Sequence, residues 1–391
     1  MTVLRKETVL KAAGSRERTT GGHFYLVGLR YVAGTWQHME SFARCLRDRR
    51  YPVRFLMSES YRWMNQTFSD VSAYLPDTNR PLSMLSGGAV FLMERKRYFH
   101  SCFQAHPPAG ILLVMWHPLN FWLARLVKSL YPGVPVMIWL HEPYKEDKGV
   151  YGLKALVFHL VELSQTLALR HIDVAIMHSS RGLRLFNQRY PNFPGLKKRV
   201  PLQFMDDGPG TPAQQRYISF LGRADQAKGI HLFFELVEIA AREGLGWEFQ
   251  IVTPTDIRAY LERLSPGARK SLQVISRPQL TDGDLREGAA KSSVVMAMYK
   301  ETMQSGVIPL AMMKGAPVVG TGIEGLTEWL QDRQTGVLVS PNPSLEEIIA
   351  AVSYAKSNFA EMTGPCRHYY LETFDDGNWE RDYGWVQDFL S

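Results

Sequence analysis

With 391 residues the chain is too long for one ordinary domain, and two domains of common size are the expectation. Hydrophobic residues at 45% and charged residues at 21% describe a globular chain with ample core, which excludes a disordered or fibrous protein. A formal charge of +7 favours anionic partners, and three isolated cysteines without a CxxC pair exclude a disulfide or zinc framework and fit a reducing cytosol.

The first 22 residues lack the apolar core of a signal peptide and read as a basic tail. HFYLVGL then reads as a strand, GTWQHMESFARCLRDRR as a loop and helix, and PVRFLMSE as the next strand. GILLVMWH, the helix LNFWLARLVKSL and the strand VPVMIWLH form one βαβ unit with Pro-Gly punctuation. GLKALVFHLVELSQTLAL is the most apolar helical stretch. Lys154, His159 and Glu162 interrupt it, so it reads as an amphipathic core helix and not a membrane span. DVAIMHSS is a further strand and RGLRLFNQRY a helix. Basic residues gather in this half as Arg44, Arg47, Arg49, Arg50 and Arg54, and as Arg95-Lys96-Arg97. Two readings stand open for them, a solvated face or a patch that docks on anionic membrane. No nucleic-acid-binding module accompanies the charge, so no nucleic-acid partner is expected.

VPLQFMDDGPGTPAQQR has the texture of a linker, with prolines, glycines and polar residues between apolar segments. A second alternation follows: YISFLG, the helix GIHLFFELVEIAAREG, the strand EFQIVT, the helix IRAYLERL, LQVIS, a helix near LREGAAKS, and VVMAMY. EEIIAAVSYAKSNFA and WERDYGWVQDFL are late helices. The pattern predicts two doubly wound α/β domains, with ligands outside the carboxyl ends of parallel strands.

Two segments carry the chemistry. In TMQSGVIPLAMMKGAPVVGTGIEGLTE a small polar loop opens a short helix at Ser305-Gly306, with Pro309 tolerated in its first turn and Gly315 at its end. Such a helix start suggests an anion site built from backbone N–H groups. In GRADQAKG, Arg223 and Lys228 occupy a strand-to-helix loop, where a planar fork and a point charge suit phosphate oxygens.

Together these segments resemble the retaining GT-B glycosyltransferases of glycosyltransferase family 4 (glycosyl transferases group 1), in a variant branch with a QSG donor loop. The resemblance covers essentially the whole second domain and, more loosely, the first. It implies that Arg223 and Lys228 bind the diphosphate of a nucleotide sugar, and that Gln304, Ser305 and Gly306 offer backbone donors to phosphate and sugar. Glu324-Gly325-Leu326-Thr327-Glu328 looks like the family's GGLxE segment, with a Glu for its first Gly, and WERDY like its closing helix. The family carries two spaced glutamates. Here Thr302 and Leu310 fall on those positions, and Glu301 lies one place before the first. Glu301 is either a stand-in for the missing carboxylate or an exposed side chain beside Lys300. Leu310 has no group that can hydrogen-bond a ribose.

In the first domain the resemblance gives His141, within HEPY after a strand, a role in orienting the reacting groups; the alternative is a strand-end histidine held by backbone. His117 ends another predicted strand and is read as satisfied by the fold. Gly34-Thr35 occupies the place of the family's glycine loop, where donor phosphate approaches backbone. Asp282-Gly283-Asp284 mimics a DxD metal motif but reads as a turn and helix N-cap, and no metal or other cofactor is expected.

The expectation is therefore a GT-B enzyme with two Rossmann-like domains facing across a cleft. A basic tail (1–22), an acceptor domain (23–205), a nucleotide-sugar domain (206–372) and a helix crossing back to the first domain (373–391) compose it. It would move a sugar, with retention, from a nucleoside-diphosphate sugar to a hydroxyl of a lipid-linked, glycan or small-molecule acceptor, as in surface polysaccharide assembly. A cytoplasmic place, with peripheral contact at the inner face of the membrane, goes with that role. Two rivals remain, a nucleotide-sugar epimerase on the same fold and a nucleotide-sugar-binding partner subunit without turnover.

Overall fold

A computed structural model describes residues 22–29, 35–59, 61, 71–75, 96–143, 153–278 and 280–390. The chain divides into two compact units, one built on Met39–Pro201 with the first strand and Trp379–Ser391, the other on Leu202–Asn378 together with residues 35–38.

The first unit holds a seven-stranded sheet. Its strands and helices run β1 (His23–Gly28), α1 (Thr35–Asp48), β2 (Val53–Ser58), β3 (Val71–Leu75), α2 (Lys96–Ala105), β4 (Pro108–Val114), α3 (Asn120–Leu130), β5 (Val136–Leu140), α4 (Leu153–Ala168), β6 (Val174–Met177), α5 (Ser180–Arg189) and β7 (Leu196–Arg199). The sheet order is β3-β2-β1-β4-β5-β6-β7, and the described pairs are all parallel. β5 and β6 are buried along their whole length, as strands covered on both faces must be. β7, with sequence LKKR, is an edge strand whose lysines discourage pairing with another sheet.

The second unit holds a six-stranded parallel sheet. In order come β8 (Tyr217–Leu221), α6 (Ile230–Arg242), β9 (Glu248–Thr253), α7 (Arg258–Leu261), α8 (Pro266–Lys270), β10 (Leu272–Ser276), α9 (Asp282–Ala290), β11 (Ser292–Ala297), α10 (Val307–Met313), β12 (Val318–Thr321), α11 (Glu324–Thr327), β13 (Gly336–Val339), α12 (Leu345–Ser357) and α13 (Phe359–Thr373). The order β10-β9-β8-β11-β12-β13 reverses direction between β8 and β11, as the first sheet does between β1 and β4. In a doubly wound sheet the loops after the two strands at that reversal frame the ligand crevice. α6 shows why the sequence folds so. Ile230, Phe233, Phe234, Val237 and Ala240 recur at helical spacing and are buried, each large one worth about 1.5–3 kcal/mol of burial.

The stretch with linker texture is anchored. Leu202 and Phe204 are buried with the core of the second unit, and the Tyr370 hydroxyl donates to the Phe204 carbonyl at 2.9 Å. Arg367 forks onto the Asp206 carboxylate, while the nearly buried Lys314 meets Asp207 and donates to the Gly208 carbonyl at 3.0 Å. Two further helices, α14 (Trp379–Tyr383) and α15 (Gln387–Leu390), lie in the first unit. Trp379 and Tyr383 stack on each other and both meet Phe42, at centroid distances of 5.1, 4.9 and 4.9 Å.

Four elements carry little sequence signal. β3 and β7 are short, and α2 is a polar helix. α13 runs through Pro365, an interior position where proline removes a backbone bond; burial of Met362, Cys366 and Tyr370 holds the helix. IRAYLERL, expected as a full helix, forms the single turn α7.

Candidate functional site

The loops after β8 and β11 meet at the reversal point of the second sheet. β8 is followed by Gly222, whose φ of +91° turns the chain, and then by Arg223 with its side chain 72% exposed. Asp225 organises the rest of the loop. Its Oδ2 accepts from Arg223 Nε at 2.7 Å, and its Oδ1 accepts from the Lys228 backbone N–H at 3.0 Å. Gly229 then takes φ +73°, where an added Cβ would lie 2.3 Å from the Met298 carbonyl oxygen. This close approach joins the two loops, and the Lys300 N–H seals it by donating to the Ala227 carbonyl at 2.8 Å.

Tyr299 is the hub on the other side. The Lys228 ammonium sits over its ring, 5.1 Å from the centroid, and its hydroxyl lies 3.1 Å from Ser305 Oγ. Thr321 Oγ1 donates to the Tyr299 carbonyl at 2.6 Å, tying this loop to the end of β12. Thr302 Oγ1 donates to the Gln304 carbonyl at 2.6 Å, which closes the small loop before Ser305 and Gly306. α11 presses on it from the far side, since a Cβ on Gly325 would come within 2.0 Å of the Thr302 carbonyl oxygen. Lys228, Thr302, Gln304, Ser305 and Gly306 thus share one framework, with Arg223 in the same loop as Lys228. Glu328 caps the carboxyl end of α11 and is partly exposed, and Glu301 is exposed.

The start of α10 differs from the expected anion cradle. Gly306 is its N-cap, but Ser305 Oγ already accepts from the Val307 N–H at 3.3 Å and the Ser305 carbonyl from the Ile308 N–H at 3.3 Å. Pro309 has no N–H to give. The first turn of the helix is satisfied from within, so it does not offer the open N–H groups expected there. Leu310, on the position of the family's second glutamate, packs into the core at 3% exposure.

Asp225 and Tyr299 are the residues that sequence reasoning missed. The signal for Asp225 is a carboxylate three residues before Lys228 in a capping position, and for Tyr299 an aromatic at the carboxyl end of a buried strand. Asp282 and Asp284 open α9. Thr281 is its N-cap, and Asp284 Oδ2 accepts from the Thr281 N–H at 2.8 Å, a capping box. Among the described residues there is no cluster of three His, Cys, Asp or Glu side chains that could hold a metal.

In the first unit His141 directly follows β5 and stacks on His178, which follows β6, with centroids 4.7 Å apart. His178 Nδ1 donates to the Val200 carbonyl at 2.9 Å, so its ring is held by backbone. His141 Nε2 is buried, and burial pulls the imidazole down to about pKa 4 from its ordinary value. His141 is therefore neutral at physiological pH and can hydrogen-bond but not act as a cation. His117, at the first sheet's reversal point, is buried and its Nδ1 accepts from the Leu119 N–H at 3.2 Å, where it shapes the turn into α3. Glu142 is exposed, and Gly34 lies outside the described residues.

A family model described as Glycosyl transferases group 1 matches residues 215–358, most of the second unit. No curated protein sequence matches the chain. Among solved structures, sucrose-phosphate synthase from Thermosynechococcus elongatus aligns with a TM-score of 0.70 at 15% identity, over 94% of this chain and 96% of that one. HepE of Anabaena, solved in complex with UDP, aligns with a TM-score of 0.67 at 16% identity, over 94% and 99%. TarM of S. aureus, a mutant in complex with Fondaparinux, alpha-GlcNAc-glycerol and UDP, aligns with a TM-score of 0.68 at 9% identity, over 95% and 100%. Residues 215–358 thus carry a glycosyl transferases group 1 domain, and the chain as a whole has the two-unit GT-B fold of these structures.

Proposed function

We propose that the chain is a glycosyltransferase whose second unit takes a nucleoside-diphosphate sugar and whose first unit takes the acceptor, with His141 hydrogen-bonding the reacting groups. The observation that carries this reading is the joined pair of loops at the second sheet's reversal point, with Arg223 and Lys228 on one and the Thr302–Gly306 turn on the other. Among the described residues both cations have only local partners, Arg223 the Asp225 carboxylate and Lys228 the Tyr299 ring. The exposed Arg223–Asp225 pair is worth about 0–1 kcal/mol, so a diphosphate displaces it at small cost. HepE, of the same fold, has been solved with UDP-glucose as well as UDP, which supports a uridine nucleotide as the first donor to try.

Departure of the nucleoside diphosphate leaves two negative charges that Arg223, Lys228 and the N–H groups of the 302–306 loop would stabilise, so that turnover needs no metal. Front-face attack with retention, and an acceptor of the lipid-linked or glycan class in surface polysaccharide assembly, complete the proposal. Nucleotide release from UDP-sugars in the presence of EDTA tests it. Arg223→Ala and Lys228→Ala should each lower the rate by about 10²–10³-fold, the scale for removing one charge-stabilising donor. Unchanged rates in both variants would overturn the phosphate assignment, and loss of all turnover in EDTA the metal-independent one.

Burial of Leu310 favours a second reading, a binding subunit without turnover, because the side chain on the ribose-contact position faces the core. UDP-sugars would then raise the melting temperature with no nucleotide released under any acceptor.

A further inference from the structure

Among the described residues three large apolar side chains stand exposed, and two of them, Trp122 (38%) and Leu163 (55%), lie on the neighbouring helices α3 and α4. The helices are packed together, with Ser164 Oγ donating to the Pro118 carbonyl at 2.9 Å just before α3. Their outer faces repeat one pattern. On α3, Trp122, Arg125 and Ser129 are exposed at i, i+3 and i+7; on α4 and the turn after it, Leu163, Thr166 and Arg170 are exposed at the same spacing. His171 bridges them: its ring lies 5.9 Å from that of Phe121, itself 4.9 Å from Trp122, and it lies within the electrostatic reach of both Arg125 and Arg170.

Among the described residues the exposed charges of this face, Arg125 and Arg170, are of one sign. The nearby carboxylates are already taken, Asp173 by Lys128 at 2.5 Å and Glu162 by Arg189 at 3.0 Å. Among the described residues, no carboxylate pairs with Arg125 or Arg170. A second copy of the chain meeting this face symmetrically would set arginine against arginine. A protein partner needs a buried apolar centre of the kind that hot-spot clusters supply, whereas two isolated apolar side chains offer little. A bilayer asks for less. A tryptophan settles at headgroup level, a leucine enters the acyl boundary, and arginines with long apolar stems reach anionic phosphates.

We propose that the α3–α4 face, through Trp122, Leu163, Arg125 and Arg170, docks the first unit on an anionic lipid bilayer. Of the basic residues singled out in the sequence, Arg47 and Arg49 have partners of their own. Arg47 lies over the Phe55 ring at 5.6 Å, and Arg49 is bound to Glu380 at 2.9 Å. The proposal does not depend on the glycosyltransferase reading, because the surface is remote in sequence from the loops that would hold the donor.

Flotation of the full chain with phosphatidylcholine vesicles, with and without phosphatidylglycerol, tests it. The wild type should bind the anionic vesicles, release with rising salt and leave the neutral ones. Arg125→Gln with Arg170→Gln should weaken partition by about 25-fold, at about fivefold per arginine removed from the surface. Trp122→Ser with Leu163→Ser should also weaken it, while Arg44→Gln with Arg50→Gln should not. Melting temperatures and the thermal shift with UDP, equal to wild type, show that the variants fold and keep the donor site as it was. Equal partition of the Arg125/Arg170 variant and the wild type would overturn the proposal. So would loss of binding only in the Arg44/Arg50 variant, or an oligonucleotide that binds through Arg125 and Arg170 where no vesicle does.

Discussion

His141 is placed by the fold where an imidazolium is poorly solvated, with its Nε2 buried and one ring face against His178. Burial favours the neutral form, which holds the group near pKa 4 in the folded state against about 6.5 in an unfolded chain. Between those values the unfolded chain binds the extra proton and the folded one does not. The contribution of His141 to stability is therefore intact above about pH 6.5 and falls as the pH drops toward 4, by at most about 1.4 kcal/mol per pH unit. In a proton NMR titration its ring resonance should move with a midpoint near pH 4, and His141→Asn should flatten the acid limb of the denaturation curve. A midpoint near 6.5 would show that the site is wetter than its geometry implies, and the neutral hydrogen-bonding role would lose its basis.

At the scale of elements the loop between β8 and α6 decides how the proposed donor site is built. Gly229 combines φ +73° with a contact no side chain can make, since its Cβ would meet the Met298 carbonyl at 2.3 Å. Gly244 has a similar φ of +64° but open space around it. Gly244→Ala should cost about 1 kcal/mol for the left-handed backbone alone, and Gly229→Ala more, about 2–4 kcal/mol, because the β11 end must also shift. Urea denaturation of the two variants separates the terms, and equal losses would mean that the loops are not in register as described. Much of this element was legible in the sequence. The cations of GRADQAKG, the start of α10 at Ser305-Gly306 and the capping role of Asp284 all follow from residue chemistry at fixed spacing. What escaped was tertiary. Nothing in local sequence says that Tyr299 will bridge Lys228 and Ser305, or that Ser305 will satisfy the helix start it was expected to leave open. β7 hid because an edge strand needs no apolar alternation, and α13 because Pro365 is tolerated only where packing holds the helix together.

At the scale of the whole molecule, the chain leaves the first unit after Pro201 and returns to it at Trp379. The returning segment is bound by aromatic packing. Trp379 and Tyr383 are buried against Phe42, which in turn meets Trp139 at 5.3 Å, while the Arg49 guanidinium covers Trp379 at 5.2 Å. The second unit has its own apolar core on each face of its sheet, with no need of that segment. Two cores closed separately predict two unfolding transitions in calorimetry. Trp379→Ala removes the largest side chain of the returning helix and should destabilise the first unit by about 3–5 kcal/mol, the range for a buried aromatic deletion. Only one of the two transitions should move, and the other should be the one that shifts upward with UDP, since a ligand stabilises the unit that binds it. If the variant lowers both transitions together, or if UDP raises the transition that Trp379→Ala lowers, then the donor site and the returning helix belong to one cooperative body. The assignment of nucleotide binding to the second unit alone would then fall.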